Sequence, residues 1–276
     1  MSNATGLLSV LGTLIGNLGD LSPRAVETLA ACDFIAAEDT RVTRKLLTHF
    51  DLRKPLVSYH EHNKAEAGPQ ILDRLLVGEH GVLCTDAGMP AISDPGQDLV
   101  TLCHEHGVPV ESVPGPTAFA TALALSGMDS RRFLFEGFLA VDKKLRNEQL
   151  DFLKGLPCTI ILYEAPHKLS GTLRDLLAAL GDRKLVIVRE LTKIHEEVLR
   201  TTLADAVETY PNNDLKGELV LLLEGTSKTA EELSMEEAVD LAKEYITAGM
   251  SQNEAAKLAA KQTGFKKGDL YKALLG

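Results

Sequence analysis

The chain has 276 residues, 45% hydrophobic and 25% charged, a balance that excludes global disorder. A formal net charge of −10 excludes a protein that coats nucleic acid by bulk charge, while leaving room for local basic clusters. No apolar run reaches the length of a membrane span and no signal-like leader opens the chain, which predicts a cytoplasmic protein without a membrane partner. Leu7 to Leu11 reads as a strand that ends at Gly12. Ser22-Pro23 then caps and starts a helix with Val26, Leu29 and Ala30 on one face. A strand from Phe34 to Ala37, a helix from Arg41 to Phe50 and a short extended piece, Leu56 to Ser58, follow. Ala65 to Val77 repeats apolar residues at helical spacing. Gly81 to Cys84 is a buried strand, Asp98 to Glu105 a helix, Val108 to Val113 a strand and Ala118 to Leu125 an alanine-rich helix.

After a pause around Ser126 to Arg132 a second series begins. Its strands are Phe133 to Glu136, Cys158 to Tyr163, Leu185 to Arg189 and Gly217 to Glu224. Its helices are Lys144 to Leu153, Pro166 to Leu180 and Leu203 to Tyr210. Beyond Gly225 only helices are expected, at Ser234 to Thr247, Ser251 to Gln262 and Lys267 to Leu275. The alternation in the first series predicts a largely parallel sheet with helices on both faces. The whole pattern divides the chain into an N-terminal α/β lobe (5–118), a C-terminal α/β lobe (119–226) and a small helical tail (227–276). The tail is basic at its end, with lysines 257, 261, 266, 267 and 272 against Asp269, so it either touches RNA or presents a solvated face. Ser2-Asn3-Ala4 reads as a remnant of an expression tag. Cys32, Cys84, Cys103 and Cys158 form no C-x-x-C pair and read as reduced thiols.

The chemistry-bearing segments each follow a strand, where open α/β sheets bind ligands. Gly12-Thr-Leu-Ile-Gly-Asn17 is a turn that is neither a dinucleotide fingerprint nor a P-loop. Glu38-Asp-Thr-Arg41 sets charges at the mouth of a buried strand, for substrate or acid–base work, although Asp39 or Thr40 also suits a helix cap. Ser58-Tyr-His-Glu-His-Asn63 places two histidines on one face of an extended segment. No third ligand is near, so a substrate or proton-handling role is expected rather than a metal. The loop Thr85 to Gly96 packs two glycines, two prolines and two aspartates into a stiff ligand-holding shape. Asp86 there can accept from an amine or ribose, and Gly88 lets main chain touch a ligand. Pro114-Gly-Pro-Thr-Ala118 opens a helix whose Thr117 can cap it or face a ligand. Tyr163-Glu-Ala-Pro-His-Lys168 and Arg189-Glu-Leu-Thr-Lys193 repeat the arrangement in the second lobe, which places a cleft between the lobes.

Taken in order from Leu7 to Gly225, these segments resemble the tetrapyrrole-methylase superfamily, and within it the branch that modifies ribosomal RNA. The resemblance is carried by Leu11-Gly-Thr-Leu-Ile-Gly-Asn-Leu-Gly-Asp-Leu-Ser-Pro-Arg-Ala25, Ile35 to Arg41, Ser58 to Asn63, Asp86 to Gly96, Pro114-Gly-Pro116, Tyr163 to His167 and Glu190 to Lys193. It implies a class III methyltransferase fold, two α/β lobes with S-adenosyl-L-methionine in the cleft, and a homodimer. It also implies 2′-O-methylation of a decoding-region cytidine (position 1402) of 16S rRNA in the small ribosomal subunit. On this chain it assigns cofactor contacts to Asp86, Gly88, Ile92, Thr117, Ala118, Leu162, Tyr163, Gly217 and Leu219. Glu38, Asp39, Arg41 and His60 would line the acceptor side and Lys193 would stabilise oxyanion charge. The base stays open among His60, Glu38, Asp39, Glu190 and Lys193. Met89 stands where the family commonly has threonine, and Lys168 where it has arginine, which loses the bidentate fork. The alternatives are a relative acting on a tetrapyrrole or another small substrate, and a non-catalytic ribosome-assembly factor.

Overall fold

A computed structural model describes residues 5–212, 215–226, 235–247 and 249–275. Ser2-Asn3-Ala4 and the expected helix start at Ser234 lie outside the described residues, as does the side chain of Lys261. The first sheet contains β1 (Leu7–Leu11), β2 (Phe34–Ala37), β3 (Leu56–Ser58), β4 (His80–Cys84) and β5 (Val110–Val113), in the order β3-β2-β4-β1-β5. Every pairing in it is parallel, as the alternation of strands and helices predicts. Alternate residues of β2 show why both faces need cover. Phe34 and Ala36 join Leu8 and Leu83 against α3 (Lys64–Leu76) and α4 (Gln97–Glu105), through Ile71, Leu75, Leu99 and Cys103. Ile35 and Ala37 join Leu11, Val82 and Val113 against α1 (Pro23–Ala31) and α2 (Thr40–His49), through Ala25, Leu29 and Leu47. An apolar run with no polar alternation is what a sheet buried on both sides requires.

The local signals act as read at α1, where the Ser22 hydroxyl accepts from the Ala25 N–H at 3.1 Å and Pro23 holds the first helical position. At α2 the cap is Asp39, whose carboxylate accepts from the Arg41 N–H at 2.8 Å, and Thr40 is already helical.

The second sheet runs β6-β7-β10-β8-β9, from β6 (Phe133–Gly137), β7 (Thr159–Glu164), β8 (Lys184–Arg189), β9 (Glu197–Thr202) and β10 (Leu219–Leu223). Here only β6 and β7 are parallel; the other three pairings are antiparallel. Strand β9 was not among the expected strands. The connection from Glu190 to Glu196 is too short for a crossover, so β9 has to turn back along β8. Helix α5 (Ala118–Ser126) leaves β5 of the first sheet yet packs on the second, with Ala122 and Leu123 against Ile161, Val186, Val188, Val220 and Leu222. The far side of the second sheet buries Ile160, Leu162, Ile187 and Leu221. Helices α6 (Lys143–Lys154), α7 (Leu169–Leu180) and α8 (Leu203–Thr209) complete this part.

Both sheets fall in one compact unit that ends at Glu224; Gly155–Pro157 and the chain from Gly225 make a second. In the second unit α9 (Met235–Thr247), α10 (Gln252–Thr263) and α11 (Lys267–Leu274) enclose a small core of Ala238, Val239, Ala242, Ala256, Ala259 and Leu270. A capping box, Ser251 with Glu254, starts α10, and Gly264 in the left-handed conformation ends it.

Candidate functional site

Three turns at the carboxyl ends of β1, β4 and β5 are stitched together. The Thr13 N–H donates to the Gly88 carbonyl at 2.9 Å and its hydroxyl to the Thr85 carbonyl at 3.2 Å. Gly12 and Gly115 meet back to back, so that a Cβ on Gly12 would stand 2.7 Å from Gly115 Cα. The loop after β4 is held in costly backbone. Gly88 has φ 82° and Gly96 φ 149°, and even Ala91 and Ser93 take positive φ, 66° and 64°. Non-glycine residues rarely adopt that region, and they cluster at functional sites when they do.

This loop and the edge of the second sheet enclose a cavity of about 340 Å³. Of the nine expected cofactor contacts, Gly88, Ile92, Thr117, Ala118, Tyr163, Gly217 and Leu219 line it. The other two do not. Leu162 is 1% exposed, its side chain given to the interior of the second lobe. Asp86 turns away from the cavity, and its Oδ1 accepts the Asp39 N–H at 3.1 Å. Thr117 precedes α5 but its side chain makes no cap bond, which leaves the hydroxyl at the cavity wall. The Tyr163 hydroxyl supplies what is missing there, accepting the Phe119 N–H of the first turn at 3.1 Å. The Tyr163 ring sits edge-on to Phe135 and Phe138, at 4.9 and 5.6 Å.

The six expected catalytic residues form two groups. Sheet register makes the first: Ala37 pairs with Ser58 of β3 and with Cys84 of β4, so the residues just past these strands are neighbours. Glu38, Asp39, His60 and Asp86 gather there. The Asp86 N–H donates to Glu38 at 3.4 Å, and Arg41 pairs with Asp39 at 2.6 Å. That hydrogen-bonded pairing holds the Asp39 carboxyl down at about 2, while burial pushes Glu38 and Asp86 up. His60 Nδ1 is buried without a partner among the described residues, and its ring stands edge-on to His62 at 6.1 Å. The second group is Glu190 and Lys193 with Glu218. Lys193 Nζ lies 2.8 Å from both carboxylates, and its stem covers Gly16. Burial opposes the charge of Lys193, but its bonds to Glu190 and Glu218 outweigh burial and lift its pKa; the same bond lowers Glu190. Glu190 and Thr192 are themselves at positive φ, 51° and 66°.

Sequence reasoning marked the stretch from Gly217 to Leu219 without singling out Glu218, and it did not single out Asp94; both lie on the cavity wall. Glu218 stood inside the expected strand from Gly217 to Glu224 and carried no signal of its own; the observed strand begins one residue later, at Leu219. Asp94 was counted as one of two aspartates in the loop, and only the other was singled out. Its carboxyl is pushed up to about 7, first by burial and then by the nearby charges of Glu38 and Asp86.

Residues 7–207 match the family model for tetrapyrrole (corrin/porphyrin) methylases. The chain belongs to that family. Its relatives within the tetrapyrrole methylases include a protein of Synechocystis named ribosomal RNA small subunit methyltransferase I. The two are 44% identical over 272 residues, covering 98% of each chain. A protein of the same name from Halalkalibacterium halodurans is 46% identical, over 96% of this chain and 93% of the relative. The solved methyltransferase CobJ shares the fold at a TM-score of 0.63 and 17% identity, over 81% of this chain and 95% of CobJ. So does uroporphyrin-III C-methyltransferase of Thermus thermophilus complexed with S-adenyl homocysteine. There the TM-score is 0.56 at 18% identity, over 79% of this chain and 97% of that one.

Proposed function

We propose that this protein uses S-adenosyl-L-methionine to methylate small-subunit ribosomal RNA, at the 2′-hydroxyl of cytidine 1402 in 16S rRNA. The observation that carries the proposal is the near full-length kinship with proteins named ribosomal RNA small subunit methyltransferase I. The cavity suits the cofactor. Ile15, Met89, Val188 and Leu219 offer apolar wall for an adenine, Ser93 and Thr117 offer hydroxyls, and nearby carboxylates favour a sulfonium cation. When bound, the cofactor supplies an activated methyl group. The residues of this chain align the acceptor and keep water away.

Gly88, Ile92, Thr117, Ala118, Tyr163, Gly217 and Leu219 hold the donor. Glu38, Asp39, Arg41 and His60, organised by Asp86, form the acceptor corner. Lys193 and Glu190 brace the Gly217–Glu218 edge: Lys193 bonds the Glu218 carboxylate and Glu190 Oε1, and that Glu190 oxygen also accepts the Glu218 N–H. Homodimeric assembly and a cytoplasmic location belong to the same proposal. The deciding assay transfers labelled methyl from S-adenosylmethionine to unmodified 30S subunits, free 16S rRNA and tetrapyrroles in parallel, with the modified position mapped. Label at the cytidine 2′-oxygen is the expected result. Transfer to tetrapyrroles alone, or cofactor binding without transfer to any acceptor, overturns it.

A further inference from the structure

Of the α-helices among the described residues, α2 alone carries basic side chains and no acidic one. It holds Arg41, Arg44 and Lys45 within ten residues, in a chain whose net charge is −10. At helical spacing Arg41, Arg44, Lys45, Thr48 and His49 share one side, and all five are exposed. The opposite side is buried, with Leu47 in the core of the first sheet and the Thr43 hydroxyl against Cys84 Sγ. Several surface cations elsewhere answer to an acid close by: Lys64 to Glu61 and Asp98, Arg131 to Asp129, Lys144 to Glu148, Lys243 to Asp240. Arg44 and Lys45 make no ion pair with any described residue. The stripe begins in the acceptor corner. Asp39 caps α2 and pairs with Arg41 at 2.6 Å, and the Asp39 N–H donates to Asp86 at 3.1 Å. Arg41 is also the first member of the stripe, its side chain 86% exposed. From Arg41 to His49 the helix rises about 12 Å, so the stripe leads away from the corner along one line.

We propose that this face of α2 binds the phosphodiester backbone of the RNA strand that delivers its ribose to the acceptor corner. This rests on the function proposed above. Contacts to phosphate fix the register and direction of a strand without reading its bases. A strand held in register is what the corner needs in order to receive one ribose and not its neighbour. Arg44 offers a planar fork and Lys45 a compact charge, each suited to a phosphate. Arg41, already bonded to Asp39, marks where the stripe hands the strand to the corner. The charge of the whole chain sharpens the role. A net charge of −10 repels a polyanion on average, so two cations without an acidic partner decide which face the RNA meets.

The test removes both charges, Arg44→Gln with Lys45→Gln in the full chain, glutamine being a good helix former. Expected are a thermal midpoint and a calorimetric Kd for S-adenosylmethionine close to wild type. KM for 30S subunits should rise about tenfold or more at about 0.1 M salt, with the loss falling on KM rather than kcat. The slope of log kcat/KM against log salt should flatten by about 1.4, about 0.7 for each phosphate contact with a single strand. Arg44→Lys with Lys45→Arg keeps both charges and should restore KM and slope. Lys143→Gln with Lys144→Gln removes the same charge from the exposed start of α6 and should leave both unchanged. A glutamine double variant of α2 with wild-type KM and slope overturns the assignment, and so does an equal loss in the α6 control. A double variant that sediments as a smaller species than wild type gives the face to a second copy of the chain, which also overturns it. Wild type that methylates no RNA overturns the function itself, a different result from an active wild type matched by its variant.

Discussion

At the scale of single residues the site depends on atoms that are absent. Gly12 and Gly115 approach so closely that a Cβ on Gly115 would stand 2.5 Å from the Gly12 carbonyl oxygen, and one on Gly12 2.6 Å from Met89 Sδ. The methionine end can move; the facing backbone cannot. Gly12→Ala should therefore cost about 1–3 kcal/mol by overpacking, read as a lower urea midpoint at unchanged m-value. It should also weaken donor binding, because the displaced turns are the ones that shape the cavity. A variant as stable as wild type would show that the two turns separate freely. Both glycines were visible in the sequence as members of strand-end turns, but their mutual contact was not. Nothing along the chain says that positions so far apart share one van der Waals surface. The same limit hid Asp94. Its loop stood out by composition, but which of its aspartates would lose its partners to burial is a property of the fold.

At the scale of elements, legibility tracked how local the determining force is. The parallel sheet could be read because Phe34 to Ala37 and Gly81 to Cys84 are continuous apolar runs separated by helical periodicity. Strand β9 could not, since Glu197-Val-Leu-Arg-Thr-Thr202 is a half-buried edge strand whose pairing comes from the β8 turn rather than from its own pattern. The acceptor corner follows from register alone, because β3 and β4 flank β2 and end level with it. Helix α5 joins the sheets in another way. Lacking a Thr117 side-chain cap, its first turn relies on the Tyr163 hydroxyl from β7. Tyr163→Phe keeps the ring and removes only that acceptor, so it should cost about 1–2 kcal/mol through an unmet N–H. The loss would appear in chemical denaturation and as faster amide exchange at Phe119. A neutral result would mean that water satisfies the turn, and that α5 is held by its apolar face alone.

At the scale of the whole molecule the two compact units rest on unequal cores. The unit with the sheets buries long rows of leucine, isoleucine and valine, each fully buried one contributing about 1.5–3 kcal/mol. The helical unit has four alanines, Val239 and Leu270 at its centre, with Tyr245, Phe265, Tyr271 and Leu274 packed around them. Its helices therefore owe more to their ends, and α10 has the most complete pair of ends, a capping box and a left-handed glycine. Ser251→Ala removes the hydroxyl that accepts the Glu254 N–H and bonds its carboxylate at 2.6 Å. A loss of about 1 kcal/mol is expected, which corresponds to roughly fivefold faster opening. In native-state hydrogen exchange that acceleration should cover α9, α10 and α11 together, while the amides of β1, β4 and β10 keep their wild-type protection. Equal acceleration in the sheets would mean that the chain opens as a single cooperative body. Acceleration confined to the first turn of α10 would mean that the three helices do not open as one.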